Sequence, residues 1–142
     1  RKGATRAFPA SRMRGTEWAD VGQPVLIPGS MGTASYVLVG TEESKETLHS
    51  VNHGAGRVMS RTAARGRYRK SGKKRKGKPA MISDEEFREA MKGIVLVCEN
   101  PRAIKEEAPQ AYKDIDEVIK VVVGAGLAKA VARLVPLAVL KG

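Results

Sequence analysis

Residues 49–61, HSVNHGAGRVMSR, combine residue types that can do chemistry on a phosphate. His53 stands directly before a Gly-Ala-Gly sequence, and glycines let backbone N–H groups approach a ligand closely. The residues from Arg57 onward have helical character, and the first turn of a helix presents unpaired N–H groups to an anion. The stretch therefore predicts a phosphate-binding loop with a possible nucleophile, His53, at its edge.

The elements around this loop follow from periodicity and turn signals. Residues 25–27 and 35–39 are apolar or β-branched and predict two strands, joined by the Pro-Gly-Ser-Met-Gly turn of residues 28–32. Residues 42–48 are compatible with one or two helical turns. Residues 94–98 form an apolar run that predicts another strand and a buried, unreactive thiol at its last residue, Cys98.

Two helices have explicit start signals. Ser83 and Glu86 match a capping box and predict a helix that ends at Gly93. Asp114 is the predicted cap of a second helix, which glycines close near residue 126. The last segment, which starts at residue 128, is predicted to be a buried strand that is interrupted by Pro136 and ends at Lys141. These elements predict an α+β fold, with a mixed sheet and flanking helices.

Charge is concentrated in one block of the chain. The protein has 142 residues and a net charge of +11, and residues 65–78 contain nine of its 26 Lys and Arg and no acidic residue. The rest of the chain is nearly neutral, with 17 basic and 15 acidic residues. Like charges interleaved with glycines favour a mobile loop. The loop is interpreted as a solvated insertion or as a site that attracts a nucleic-acid backbone, and the two interpretations are compatible.

Composition excludes several classes of protein. The chain is 42% hydrophobic and has the size of one ordinary domain. No apolar run is long enough to span a membrane, and the first ten residues lack the apolar centre of a signal peptide. The single cysteine cannot form an internal disulfide, so we expect a cytoplasmic protein without membrane association.

Five ordered blocks of the chain resemble one known family. They are RKGATRAF, VGQPVLIPGSMGTASYVLVGTE, HGAGRVMSR, EEAPQAYKDIDEV and ARLVPLAVLKG. These blocks are similar to the C-terminal portion of the RtcB RNA-splicing ligases, over residues 1–142 and with the basic block as the main gap. The resemblance implies the C-terminal part of a larger RtcB-like fold. It also implies a GTP- and Mn²⁺-dependent RNA ligase that joins 2′,3′-cyclic phosphate or 3′-phosphate ends to 5′-hydroxyl ends.

The resemblance assigns roles to individual residues. His53 takes the place of the family's histidine that becomes covalently guanylylated, whereas His49 lacks the glycine context and is expected to be a surface residue. Arg57 and Arg61 match positions that contact RNA phosphates. Residues that match the guanylate pocket are Pro28, Gly29, Ser30, Met31, Gly32, Ser35, Gly54, Ala55, Gly56, Tyr112 and Lys141. Asn52 departs from the cysteine that often precedes the nucleophile in the family.

The resemblance further implies substrates and a partner protein that the residues of this chain do not indicate by themselves. RNA ends, such as tRNA exon halves, would be the substrates, and an archease-type protein would be an activator. The family's manganese ligands lie upstream of the matched portion, and this sequence has no metal site of its own. Composition alone favours another class, a small basic RNA-binding protein without catalysis, which would not acquire a covalently bound nucleotide.

Overall fold

The computed structural model describes residues 3–71, 74–101 and 103–142. Its strands are β1 (Ala4–Arg6), β2 (Pro24–Ile27), β3 (Ser35–Gly40), β4 (Ser50–Asn52), β5 (Arg67–Ser71), β6 (Lys74–Lys78), β7 (Val95–Cys98), β8 (Ala128–Leu134) and β9 (Ala138–Lys141). Its α-helices are α1 (Arg61–Arg65), α2 (Asp84–Ala90) and α3 (Ile115–Gly124), with short 3-10 helices at Ala10–Arg12, Glu42–Thr47, Ile104–Glu107 and Pro109–Ala111. This mixture confirms the α+β class.

The chain divides into two compact units. The first is made of the chain up to Gly29, of Ala34–Ala55 and of Asp114–Val135. The second is made of Ser30–Thr33, Gly56–Lys113 and Pro136–Gly142. In the part of the chain that the structure describes, no helix is long and apolar enough to cross a membrane.

An antiparallel sheet of order β2-β3-β8 organises the first unit. Its core includes Ile27 and Leu38, which are fully buried. The helix α3 buries one face, because Ile115, Ile119 and Val122 recur at the helical spacing and are each less than 9% exposed. Its start confirms the predicted cap, since the Asp114 side chain accepts hydrogen bonds from the N–H groups of the first turn.

A second, two-stranded sheet of the first unit carries the chain toward His53. Strand β4 pairs antiparallel with β1, and Ala4 lies opposite Asn52.

The segment after β1 lies very close to the end of β3. A Cβ added to Gly40 would lie 2.4 Å from the carbonyl oxygen of Ala7 and 2.7 Å from that of Phe8. Because both neighbours are backbone atoms, this approach requires glycine at position 40.

The second unit contains two small sheets and two apolar clusters. Strands β5 and β6 are antiparallel, and β7 and β9 are parallel. The capping box of α2 is confirmed, because the Ser83 hydroxyl accepts from the Glu86 N–H while the Glu86 carboxylate accepts from the Ser83 N–H. Phe87 packs against the cluster that contains Ile82, which is the contact of a hydrophobic staple at the start of the helix. The helix ends at Ala90, three residues before the predicted Gly93.

The basic block is paired where the sequence predicted a loop. Residues 67–71 pair with residues 74–78, and Arg69 lies opposite Lys76 in the register. Main-chain hydrogen bonds hold such a ladder whatever the side chains are, so local charge did not exclude it. The predicted mobility of residues 65–78 stays a prediction, and Gly72 and Lys73 lie outside the described residues.

The predicted buried strand at the end of the chain is wrong in two respects. It consists of two strands, β8 and β9, which belong to different sheets on either side of Pro136. Most of its apolar residues are exposed, including Val131, Leu134 and Leu140. An apolar run indicates which residues favour burial, but it does not show which neighbours are present to cover them.

Candidate functional site

His53 follows β4 directly and belongs to the first unit. Its side chain is exposed, and no described residue hydrogen-bonds to its ring. The sequence suggested a helix from Arg57 onward, but no helix starts there. Arg57 instead forms a β-bridge with Tyr112, and α1 begins at Arg61 because the Ser60 side chain accepts a hydrogen bond from the Ala63 N–H. His53 therefore lies in an irregular loop, open to an external electrophile.

The backbone after His53 is held against the predicted nucleotide-binding turn. The N–H of Ala55 donates to the Pro28 carbonyl at 3.0 Å. A Cβ on Gly54 would lie 3.2 Å from the same oxygen, so the two segments pack closely. The side-chain amide of Asn52 donates to the Gly54 carbonyl at 2.9 Å. Asn52 thus fixes the loop at the position where the family often has cysteine.

The second histidine is structural. His49 was expected to be a surface residue, but it is half-buried, and its Nδ1 lies 2.9 Å from the hydroxyl of Ser44, a fully buried residue. Its ring meets the Phe8 ring edge-on, with 5.7 Å between centroids. Its backbone has a φ of 51° and follows another left-handed residue, Leu48, because the chain reverses direction here between a 3-10 helix and β4.

The turn of residues 30–33 belongs to the second unit and satisfies its own polar groups. The N–H of Ser30 donates to the Thr33 hydroxyl at 2.7 Å, and the two hydroxyls lie 2.8 Å apart. Met31 is 8% exposed and packs with Met91 and Ile104, so only its backbone is available to a ligand. Thr33 was not singled out from the sequence, although its hydroxyl organises the turn.

Tyr112 is held by charged neighbours in the second unit. Its hydroxyl accepts a hydrogen bond from Arg57 Nη1 at 2.9 Å and donates one to the Glu107 carboxylate. The Arg57 guanidinium lies over the ring, 4.7 Å from the centroid. Burial raises the pKa of Tyr112, and the hydrogen bond to Glu107 and its charge raise it further. The hydroxyl is therefore a proton donor at neutral pH.

Glu106 and Glu107 were not predicted as site residues, yet they pair with three arginines. The Glu106 carboxylate lies 2.8 Å from Arg65 Nε and 3.8 Å from Arg61 Nε. Glu107 lies 3.8 Å from both Arg57 and Arg61. The signal in the sequence was the acidic pair shortly before Tyr112, in EEAPQAY, but its meaning depends on arginines some 50 residues away.

A cleft of about 210 Å³ in the second unit brings together two predicted residues. Lys141 and Arg61 both line it, together with Cys98 and the two glutamates. The thiol was predicted to be buried, but Cys98 is only half-buried because it packs beside a core cluster rather than inside it. The cleft therefore combines cationic and anionic side chains.

The predicted pocket residues are distributed over both units. Those in the first unit are Pro28, Gly29, Ser35, His53, Gly54 and Ala55, and those in the second are Ser30, Met31, Gly32, Gly56, Arg57, Arg61, Tyr112 and Lys141. Within residues 3–71, 74–101 and 103–142, no three His, Cys, Asp or Glu side chains are grouped so that they could hold a metal ion.

Comparisons with known proteins point to one family over the whole length of the chain. The family model described as tRNA-splicing ligase RtcB matches residues 1–142. A tRNA-splicing ligase RtcB of Pyrococcus furiosus is 53% identical over 144 residues, which cover 100% of this chain and 14% of the relative. Proteins with the same name from Archaeoglobus fulgidus and Pyrobaculum aerophilum are 51% and 46% identical over 144 residues, which cover 100% of this chain and 27% of each relative.

The chain thus spans between 14% and 27% of the length of these three relatives. Since the family match includes every residue of the chain, the chain belongs to the RtcB family of tRNA-splicing ligases.

Proposed function

We propose that this chain carries the nucleotide-transfer part of an RNA ligase that acts in tRNA splicing and RNA repair. The observation that supports this most directly is the exposed His53, followed by a backbone segment that is fixed against Pro28 through the Ala55 N–H. A nucleophile needs an accessible lone pair and a rigid frame around it. The loop after β4 offers both.

The proposed first step is the attack of a neutral His53 ring nitrogen on the α-phosphorus of GTP. An N–P bond forms, the bond from the α-phosphorus to the bridging oxygen breaks, and pyrophosphate leaves. Imidazole suits this task because its unprotonated ring nitrogen carries a lone pair that can attack without first losing a proton. The product is a guanylylated histidine with a phosphoramidate bond.

In the proposed second step, an RNA 3′-phosphate oxygen attacks the same phosphorus and releases the histidine. The RNA end then carries a guanylate, and the 5′-hydroxyl of the other RNA attacks the 3′-phosphorus and expels GMP. An end that begins as a 2′,3′-cyclic phosphate must first be opened by water. RNA ends such as tRNA exon halves are the proposed substrates.

The guanylate pocket remains a proposal for the residues named from the resemblance. Pro28, Gly54 and Ala55 are in mutual contact beside His53, which supports a common role. The resemblance also assigns Tyr112 and Lys141, which belong to the second unit, to the nucleotide. Arg61, whose side chain is 70% exposed, is available for RNA phosphates.

Manganese is part of the proposal only through the family resemblance. The described residues of this chain do not fit a metal site, so its ligands would have to come from other parts of the protein, and none of the steps above is derived through it. An archease-type activator and a cytoplasmic location likewise stay predictions.

The decisive experiment locates the covalent nucleotide. The complete protein is incubated with GTP labelled at the α-phosphate, and the labelled peptide is mapped. We expect label on His53, stable in alkali and labile in acid, and none in the His53→Ala variant. His49→Asn is the matched control, because asparagine tolerates the left-handed backbone, and it should retain most of the label. Label on a lysine or on His49 would contradict the assignment.

The hairpin β5–β6 supports the second candidate, a basic RNA-binding protein without catalysis. Residues 67–78 contain eight Lys and Arg and no acid, a composition that attracts phosphates without any chemistry. The same labelling experiment separates the two candidates, because a protein that only binds RNA acquires no covalent nucleotide.

A further inference from the structure

Arg57 is held within its own unit by hydrogen bonds from three of its nitrogens. Its Nε donates to the Met59 carbonyl at 3.0 Å, and its Nη2 donates to the Glu106 carbonyl at 2.5 Å. Its Nη1 donates to the Tyr112 hydroxyl at 2.9 Å. The side chain is only 25% exposed. A guanidinium with a partner on each nitrogen, and a carboxylate beside it, is poorly placed to grip an external phosphate.

The same residues fix Tyr112 in several independent ways. The ring lies against the Arg57 guanidinium, and its hydroxyl connects Arg57 with Glu107. The backbones are also tied, because Val58 donates to the Ala111 carbonyl at 3.0 Å and Lys113 donates to the Gly56 carbonyl at 2.9 Å. The position of the ring is thus set by the segment that begins three residues after His53.

We infer that Arg57 and Glu107 are positioning residues, which orient the Tyr112 ring for the nucleotide, and that Arg57 is not an RNA contact. This inference rests on the proposed function, in which Tyr112 touches the guanylate. The pair works as a unit. Arg57 covers a face of the ring and donates to the hydroxyl. Glu107 accepts a hydrogen bond from the hydroxyl and balances the arginine charge.

Charge and exposure separate Arg57 from its neighbour Arg61. Arg61 is 70% exposed, and both of its carboxylate partners lie at 3.8 Å, near the limit for an ion pair. It can exchange these partners for a phosphate with little rearrangement. Arg57 would first have to release Tyr112 and two carbonyl groups, which would then lose their hydrogen bonds.

The test measures guanylylation of the complete protein without RNA, as a function of GTP concentration. We expect Glu107→Gln and Arg57→Lys to raise the GTP concentration at half-maximal rate about three- to tenfold, the range of one lost hydrogen bond, and to leave the maximal rate within about twofold. Arg57→Lys keeps the charge, so the RNA affinity should stay within about twofold of the wild type.

Glu85→Gln is the matched control. It removes the same charge at an exposed position of α2 in the same unit, where the carboxylate pairs with Arg88 and not with Arg57 or Tyr112. Guanylylation of this variant should not change. A second measurement uses Tyr112→Phe, which removes the hydroxyl. Adding Glu107→Gln to that variant should have no further effect, whereas a general loss of stability would add to it.

Three results overturn the inference. If Glu107→Gln and Arg57→Lys show the GTP dependence of the wild type, and His53 of the wild type is labelled, the positioning role is refuted while the proposed function stands. Independent, additive effects of Glu107→Gln and Tyr112→Phe refute the link between these two side chains. Failure of the wild-type protein to label His53 refutes the proposed function, and the inference falls with it.

Discussion

The pairing of the basic block gives a quantitative prediction about RNA binding. In the register of β5 and β6, Arg69 lies opposite Lys76 and Lys70 lies opposite Arg75. A run of cations without acidic residues attracts a polyanion, and each phosphate that it neutralises releases counterions. We therefore expect the hairpin to contact the RNA backbone through several cations at once.

The perturbation is the double variant Arg69→Gln/Lys76→Gln in the complete protein. Each phosphate contact contributes about 0.7 to 0.9 to the slope of log affinity against log salt, so two lost contacts flatten this slope by about 1.4 to 1.8. Salt rises fourfold between 50 and 200 mM. The factor by which the double variant binds RNA more weakly than the wild type should therefore be about 7- to 12-fold larger at 50 mM than at 200 mM.

The assay is fluorescence anisotropy of a labelled RNA across a salt series. The matched control is Arg88→Gln/Lys92→Gln, which removes the same net charge at two exposed positions in and after α2 that pair with acids. The control should keep the wild-type slope, and both variants should guanylylate normally with GTP. If the hairpin variant and the control flatten the salt slope equally, the net charge of the whole protein sets the salt dependence, and the hairpin has no special role. Loss of guanylylation in the hairpin variant would mean that the block supports the nucleotide site.

Two further predictions concern the chain and its loop. The isolated chain of residues 1–142 should not label itself with GTP and manganese, since its described residues offer no group that could hold the metal. Robust labelling of that chain would contradict this view. In the complete protein, Gly54→Ala should slow guanylylation about three- to tenfold, because its Cβ would push the loop beside His53 away from Pro28 by a few tenths of an ångström. Gly124→Ala has nothing within 4 Å of the added carbon and should leave the rate unchanged, and equal rates in both alanine variants would show that the loop tolerates the shift.

Local signals in the sequence predicted the local structure well. The helix starts at Ser83 and Asp114 were correct because each cap is made with backbone N–H groups two or three residues away. The strands β2 and β3 were correct because β-branched residues and a glycine-containing turn delimit them. These features depend on a few neighbouring residues, and no distant part of the chain is needed to interpret them.

Features that depend on distant residues were missed. The helix predicted from Arg57 starts at Arg61, because Arg57 is bridged to Tyr112 far along the chain. The role of Glu107 could not be recognised without knowing that the arginine and the tyrosine meet there. The assignment of His53 as the nucleophile came from the family resemblance, and it remains to be tested.

The close approach at the end of β3 has an evolutionary consequence. Any side chain at position 40 would collide with the backbone of Ala7 and Phe8, and no substitution elsewhere can remove a backbone atom. Natural selection therefore has no alternative to glycine at this crossing. A distant homologue whose sequence has diverged almost everywhere should still be recognisable by a glycine at the position that corresponds to Gly40.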